Sequence, residues 1–176
     1  MAGQVSYTPI EADVVAAARD WFRRALLQPR TRLALFGTAL AAALLGAGLT
    51  LQGGARPGYA VWVGSAAALG GFILVCLGLA LRYALLPGQA RRNFRRNPVL
   101  QCEQAFAWSD EGISWDSEVA NARIAWRDLH RWGEGPSTFL FAVSERGVHF
   151  VPRRALSGAE AADLGATARR HGPARH

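Results

Sequence analysis

The sequence predicts a membrane protein of mixed class: membrane α joined to soluble α+β. The expected architecture is a two-helix transmembrane hairpin followed by a small curled antiparallel β-sheet, closed by a C-terminal helix. Three observations predict it. Two long apolar runs carry no charge, arginines crowd their outer ends, and beyond residue 100 the apolar pattern shortens to alternation.

At the start, Thr8-Pro9-Ile10-Glu11 reads as a capping box, with Thr8 as N-cap, Pro9 at the first helical position and Glu11 reaching back. The helix should run to about Leu27, because Gln28-Pro29 is a stop. Ile10, Val14, Ala17, Ala18, Trp21 and Ala25 share one face, with Asp13, Asp20 and Arg23 opposite. Residues 1–31 thus read as an N-terminal cytoplasmic amphipathic helix. It would lie on the inner leaflet or pack on the protein's own soluble domain.

Residues 32–86 should form the hairpin. Leu33 to Leu51 is 19 residues without a charge, and Tyr59 to Leu81 is 23. As helices they measure about 28 and about 34 Å, enough to cross a bilayer. A backbone in lipid must satisfy its own hydrogen bonds, so helices are the form such runs take. The seven-residue connector, Gln52 to Pro57 and Gly58, is rich in Gly and Pro and reads as a sharp turn.

Orientation follows from arginine placement. Arg19, Arg23, Arg24, Arg30 and Arg32 precede the first span, and Arg82, Arg91, Arg92, Arg95 and Arg96 follow the second. The connector holds only Arg56. This positive-inside pattern puts both termini in the cytoplasm of a multi-pass protein of the cell (inner) membrane. Tyr59 and Trp62 would sit at the outer interface and Tyr83 at the inner one. A twin-arginine export signal around Arg23-Arg24 is the rival reading. It lacks a preceding Ser or Thr, and a second span follows at once.

Small residues recur four apart within the spans: Gly37 with Ala41, Ala42 with Gly46, Gly64 with Ala68, Ala67 with Gly71. Such spacing lets helices approach closely, either within one chain or in a homodimer. Neither span contains an acid, a histidine or a lysine, which argues against a proton or ion path.

After the second span, Pro87-Gly88 should break the helix. Residues 87–99 then form a basic linker whose Arg91, Arg92, Arg95 and Arg96 are candidate contacts for anionic head groups. From residue 100 alternation takes over. Phe106 and Trp108, then Ile113 and Trp115, flank Ser109-Asp110-Glu111-Gly112, a hairpin turn with its Gly at the left-handed position. Ile124 and Trp126 mark a third strand, 129–134 a fourth, 139–143 a fifth and 148–151 a sixth. Ser144-Glu145-Arg146-Gly147 turns the fifth into the sixth, and Pro152 ends the ladder. Ser157 and Glu160 form a second capping box, opening a helix to about Arg170 with Ala161, Leu164 and Ala168 inward. The soluble domain thus spans 100–171, with a tail at 172–176. Trp108, Trp115, Trp126 and Trp132 should fill its core.

Charge is divided unevenly. All 20 basic residues are arginine, which with abundant Ala and Gly suggests a GC-rich bacterial genome. Residues 1–99 carry a net +8 and residues 100–176 a net −1. The basic excess therefore flanks the spans, and nucleic acid is not an expected partner. Cys76 and Cys102 lack the spacing of a disulfide framework or metal knuckle and read as buried small hydrophobes. His130, His149, His171 and His176 lack metal-ligand spacing, there is no phosphate loop, and the serines sit in turns and caps. No cofactor, no small-molecule substrate and no catalytic activity are expected.

Three segments together carry a resemblance: Ser109-Asp110-Glu111-Gly112-Ile113, Ala125-Trp126-Arg127-Asp128-Leu129, and Val151-Pro152-Arg153-Arg154-Ala155-Leu156. With the two preceding spans, and with Tyr7-Thr8 and Asp13 near the start, the chain resembles the bacterial YcxB-like family. The resemblance implies a pleckstrin-homology-like cytoplasmic domain, with Trp126, Asp128 and Pro152 as structural motif positions. It implies no reaction. The expected function is a non-enzymatic binding or scaffold module for a membrane partner protein or lipid head groups. The alternative is a regulatory or protective subunit against envelope stress, a toxin or a bacteriocin, by analogy of fold alone. Arg153 and Arg154, beside the start of the closing helix, are the candidate anion site. The competing reading pairs them with acids such as Glu145 or Asp163.

Overall fold

The computed structural model describes residues 3–144 and 147–173, Arg30 by its backbone only. The chain divides into two compact units, residues 25–85 and residues 1–24 with 86–176.

In the first unit, helix α2 (Pro29–Gln52) and helix α3 (Pro57–Arg96) are the two elements long and apolar enough to cross a membrane. Leu33, Leu40, Leu44, Val61 and Leu74 remain exposed along them, as lipid-facing side chains would. The two helices are consistent with membrane insertion. Gly54 takes the left-handed conformation (φ 79°) that reverses the chain between them. The helices pack on each other through glycines. A Cβ on Gly64 would sit 2.8 Å from the Ala43 carbonyl oxygen, and one on Gly46 3.0 Å from the Ala67 Cβ. Gly71 meets the Ala42 Cβ in ordinary contact, whereas Gly37 opens on empty space. Most of the small-residue spacing thus serves contact within one chain.

Several expectations need correction here. Pro87-Gly88 does not break the helix, since Pro87 lies inside α3, which continues to Arg96. Proline's fixed φ is itself helical, and the ladder loses one donor rather than its course. Residues 87–99 are therefore mostly helix rather than linker, and a short 3₁₀ turn follows at Pro98–Gln101. Gln28-Pro29 ends the first helix as expected, yet Pro29 immediately opens the next. Cys76 is exposed and Cys102 only half-buried, so neither is a core residue.

The soluble unit begins with an element not expected from the sequence. Strand β1 (Gly3–Tyr7) pairs antiparallel with β2 (Gln104–Trp108), Val5 opposite Phe106 and Tyr7 opposite Gln104. The apolar hairpin is thus inserted between two neighbouring strands of one sheet, and residues 1–31 are not a separate helical domain. β3 (Gly112–Asp116) and β4 (Asn121–Ala125) complete a four-stranded sheet in the order β1-β2-β3-β4. A second, three-stranded sheet contains β5 (Arg131–Glu134), β6 (Thr138–Ala142) and β7 (Val148–Pro152), in that order. Helix α4 (Gly158–His171) closes the chain, with both halves of the Ser157/Glu160 capping box formed. Glu145 and Arg146, in the turn between β6 and β7, lie outside the described residues.

Between the sheets lies an aromatic core. Phe106, Trp108, Trp115, Trp126, Trp132, Phe139 and Phe141 are all buried, with Leu164 and Ala168 of α4 against them. The Phe106 ring sits 4.9 Å from Trp115 and 5.9 Å from Phe141 between centroids, and Trp115 meets Phe141 edge-on at 5.7 Å. Polar tips find partners at the margin. Trp108 Nε1 donates to Asp163 at 2.8 Å, and the Tyr7 hydroxyl donates to the Phe150 carbonyl at 2.8 Å, tying one sheet to the other. Gly112 has no left-handed backbone, contrary to expectation. It opens β3 where a Cβ would collide with the Ile124 carbonyl oxygen. Close strand approach, not turn conformation, requires glycine there.

Helix α1 (Glu11–Leu27) joins the unit with an unexpected face. Asp13, Val14, Ala17, Asp20 and Phe22 are buried, while Ile10 is 47% exposed. The cap also differs. The Asp13 carboxylate accepts from the Ile10 N–H at 2.9 Å, and Thr8 is not the cap. Over residues 11–24 the helix packs on its own domain through acids the sequence reading placed in solvent.

Candidate functional site

Two arginine groups were expected to meet anions, and the structure gives them different surroundings. Arg153 and Arg154 follow β7 in a 3₁₀ turn just before α4. Arg154 closes on Asp13: its Nε donates to Oδ1 at 2.9 Å and its Nη2 to Oδ2 at 2.6 Å, a bidentate pair. The same Nη2 donates to the Thr8 carbonyl at 2.9 Å. Hydrogen bonding to Asp13 raises the Arg154 pKa. Arg153 donates to Glu134, and its guanidinium rests over the Phe139 ring at 5.1 Å. Its Nε is buried against that surface without a hydrogen-bond partner.

These arginines therefore fasten β1–α1 and β5 around the start of α4. Their partners are Asp13 and Glu134. Asp163 receives Trp108 instead, and Glu145 lies outside the described residues. Asp20 makes the matching contact further along α1. It accepts from the Thr138 hydroxyl at 2.9 Å and the Ser137 N–H at 3.4 Å, and both Asp20 and Thr138 are buried. A buried carboxylate is tolerated because donors surround it.

The second group lies on the last turns of α3. Arg91 and Arg95 flank Glu11 of α1 at 2.9 and 3.8 Å. Arg92 and Arg96 are exposed on the neighbouring positions. The four arginines are two helical pairs, one engaged by Glu11, and do not form a ring of equivalent charges.

The motif residues separate by burial. Trp126 is 3% exposed, and its Nε1 donates to the Ser109 carbonyl at 2.8 Å, bracing the β2–β3 turn. Pro152 is fully buried at the end of β7, opposite Thr138. Asp128 is exposed beside Arg127, 3.9 Å away, and does not cap the next turn. Among the described residues no group of three or more His, Cys, Asp or Glu is placed to hold a metal ion.

Two titratable groups are shifted in the core. Burial pushes the pKa of the Tyr7 hydroxyl up. His149 stacks on Trp115 at 4.7 Å, and burial lowers its pKa. The folded state thus favours neutral His149. Its contribution is complete above the unfolded value of about 6.5 and is lost as pH falls below it, toward the lowered folded value. Urea midpoints of the full chain at pH 7.5 and 5.5 should show that loss, and His149→Leu should reduce it. An unchanged pH dependence in the variant would assign it to other groups.

The family model described as YcxB-like protein matches residues 108–168, from the end of β2 into α4. No curated protein and no solved structure matches the chain.

Proposed function

We propose for this member of the YcxB-like family a non-enzymatic role as a membrane-held binding module that grips a partner protein. The soluble unit is read as a pleckstrin-homology-like domain, supported by its four-stranded and three-stranded sheets closed by one helix. The observation that carries the reading is the insertion of the apolar hairpin between β1 and β2. A domain assembled from chain segments before and after the two spans is held beside them by two covalent connections. That suits a fixed docking platform better than a diffusing enzyme. Pairing of β1 with β2 supports both of those segments lying on one side of the bilayer, and arginine placement favours the cytoplasm as that side. A protein partner is favoured over lipid because Arg153 and Arg154 already hold Glu134 and Asp13.

Topology is tested with cysteine-free protein carrying single cysteines. Glu118→Cys should label only in permeabilised cells and Gly53→Cys in intact ones. The reverse pattern would overturn the cytoplasmic placement. Binding is tested by mild-detergent purification of the full chain. A stoichiometric membrane protein should co-purify, and should be lost when residues 99–173 are deleted. Flotation of the purified full chain's domain surface against anionic lipid is not required by this reading. Recovery of lipid alone, with no protein, would sink it.

A further inference from the structure

We infer that the free edge of β4 is a docking strand for an extended acidic segment of a partner protein. This deepens the binding-module reading and rests on it.

The hydrogen-bond register defines the edge. Ser117 N–H donates to the Ala120 carbonyl, and Trp126 N–H to the Glu111 carbonyl. With Ser114 opposite Arg123 between them, antiparallel alternation gives Ala122 and Ile124 to β3. The main-chain groups of Asn121, Arg123 and Ala125 face away from the sheet. β4 pairs with β3 alone. The other sheet edges have company. β1 and β7 are joined by the Tyr7–Phe150 bond, and Arg154 reaches the Thr8 carbonyl. At β5, Gly133 lies against the Arg24 guanidinium, and Glu134 holds Arg153 and Arg169.

Hollows on the four-stranded sheet reach β4 at residues 121–123, beside Ser114–Asp116 of β3, and at residues 123–125, where the hollow extends across β3 and β2 to Gly3 and Gln4. An added strand would lie beside β4, its backbone bonding to Asn121, Arg123 and Ala125. Charge selects the occupant. Arg123 stands exposed at the middle of the edge with no ion-pair partner among the described residues. Acids stand near the ends of β4 instead, Asp116 opposite Asn121, and Asp110 and Glu111 close to Ala125. A second copy paired antiparallel about Arg123 would set two guanidinium groups directly opposite each other, which is destabilising. An incoming Asp or Glu at that position completes a cross-strand pair. Its neighbours, pointing to the other face, meet Ala122 and Ile124 and should be apolar.

The test is photo-crosslinking of the full chain in its native membrane, with benzoylphenylalanine replacing Asn121. The expected result is one adduct to a different protein. Sequencing of the linked peptide should show alternating apolar residues with an acid at a polar position. Arg123→Glu should lower the yield at least tenfold, and Arg123→Lys should retain most of it. Ala125→Pro separates backbone from charge. Ala125 already has φ −69°, which proline adopts without strain, so the domain should keep its near-UV spectrum while losing the outward N–H and the adduct. An adduct to a second copy, to lipid, or one indifferent to Arg123→Glu and Ala125→Pro would overturn the β4 site. A partner crosslinked from Ser6 but never from Asn121 would overturn the site and leave the binding module standing. No protein adduct from either position would overturn both.

Discussion

A fragment beginning at Val99 is expected not to fold, whereas residues 3–24 joined to 86–173 should give a soluble, cooperatively melting domain. The first fragment contains the whole match to the family model and six of the seven strands. It lacks β1 and α1. Tyr7, Val14 and Phe22 are each buried to 8% exposure or less. Each such side chain contributes about 1.5–3 kcal/mol. Their combined loss rivals the about 5–15 kcal/mol that hold a typical domain together. The fragment would also leave β2 as a bare edge, and Arg154 and Thr138 without Asp13 and Asp20. In the joined version, a Gly/Ser linker of about ten residues between Arg24 and Leu86 spans about 18 Å on average. Near-UV circular dichroism and urea titration of both proteins decide the matter. A cooperative melt from the Val99 fragment would show that β1 is dispensable.

The two spans were legible because nothing competes with 19 and 23 residues free of charge. The strands after residue 100 were legible from alternation and turn residues, and the second capping box from its spacing. What escaped the sequence shares one physical cause, distance along the chain. β1 has only two apolar residues in alternation, and its partner lies 97 residues away across Tyr7 and Gln104. Asp13 and Asp20 look solvent-exposed in any local window. They are buried because Arg154 and Thr138, 141 and 118 residues on, supply donors. The candidate site was half-legible for the same reason. Arg153 and Arg154 were found by their place before the closing helix, but their partners could not be read locally. The one available signal was that Tyr7-Thr8 and Asp13 took part in the family resemblance.

The insertion also bears on how β1 finds β2. Closing a flexible loop of that length costs about 4 kcal/mol in chain entropy beyond a constant. Pairing of α2 with α3 ahead of the strands would bring the two ends of the hairpin together and shorten that search. Assembly of the helical hairpin would then precede assembly of the sheet.

Within the tryptophan-acid motif the two residues should behave oppositely. Trp126→Ala removes a side chain that is 3% exposed, packs 6.3 Å from the Phe141 ring, and leaves the Ser109 carbonyl without its indole donor. Deleting a buried aromatic destabilises by about 3–5 kcal/mol. The variant should lose its near-UV signal well below the parent's urea midpoint. Asp128→Ala, on an exposed carboxylate beside Arg127, should shift stability by no more than about 0.5 kcal/mol. The measurement is a pair of urea titrations on the full chain in detergent, read by near-UV circular dichroism. A large loss from Asp128→Ala would mean that its carboxylate holds structure through a contact other than Arg127. A Trp126→Ala variant melting with the parent would remove Trp126 from the core.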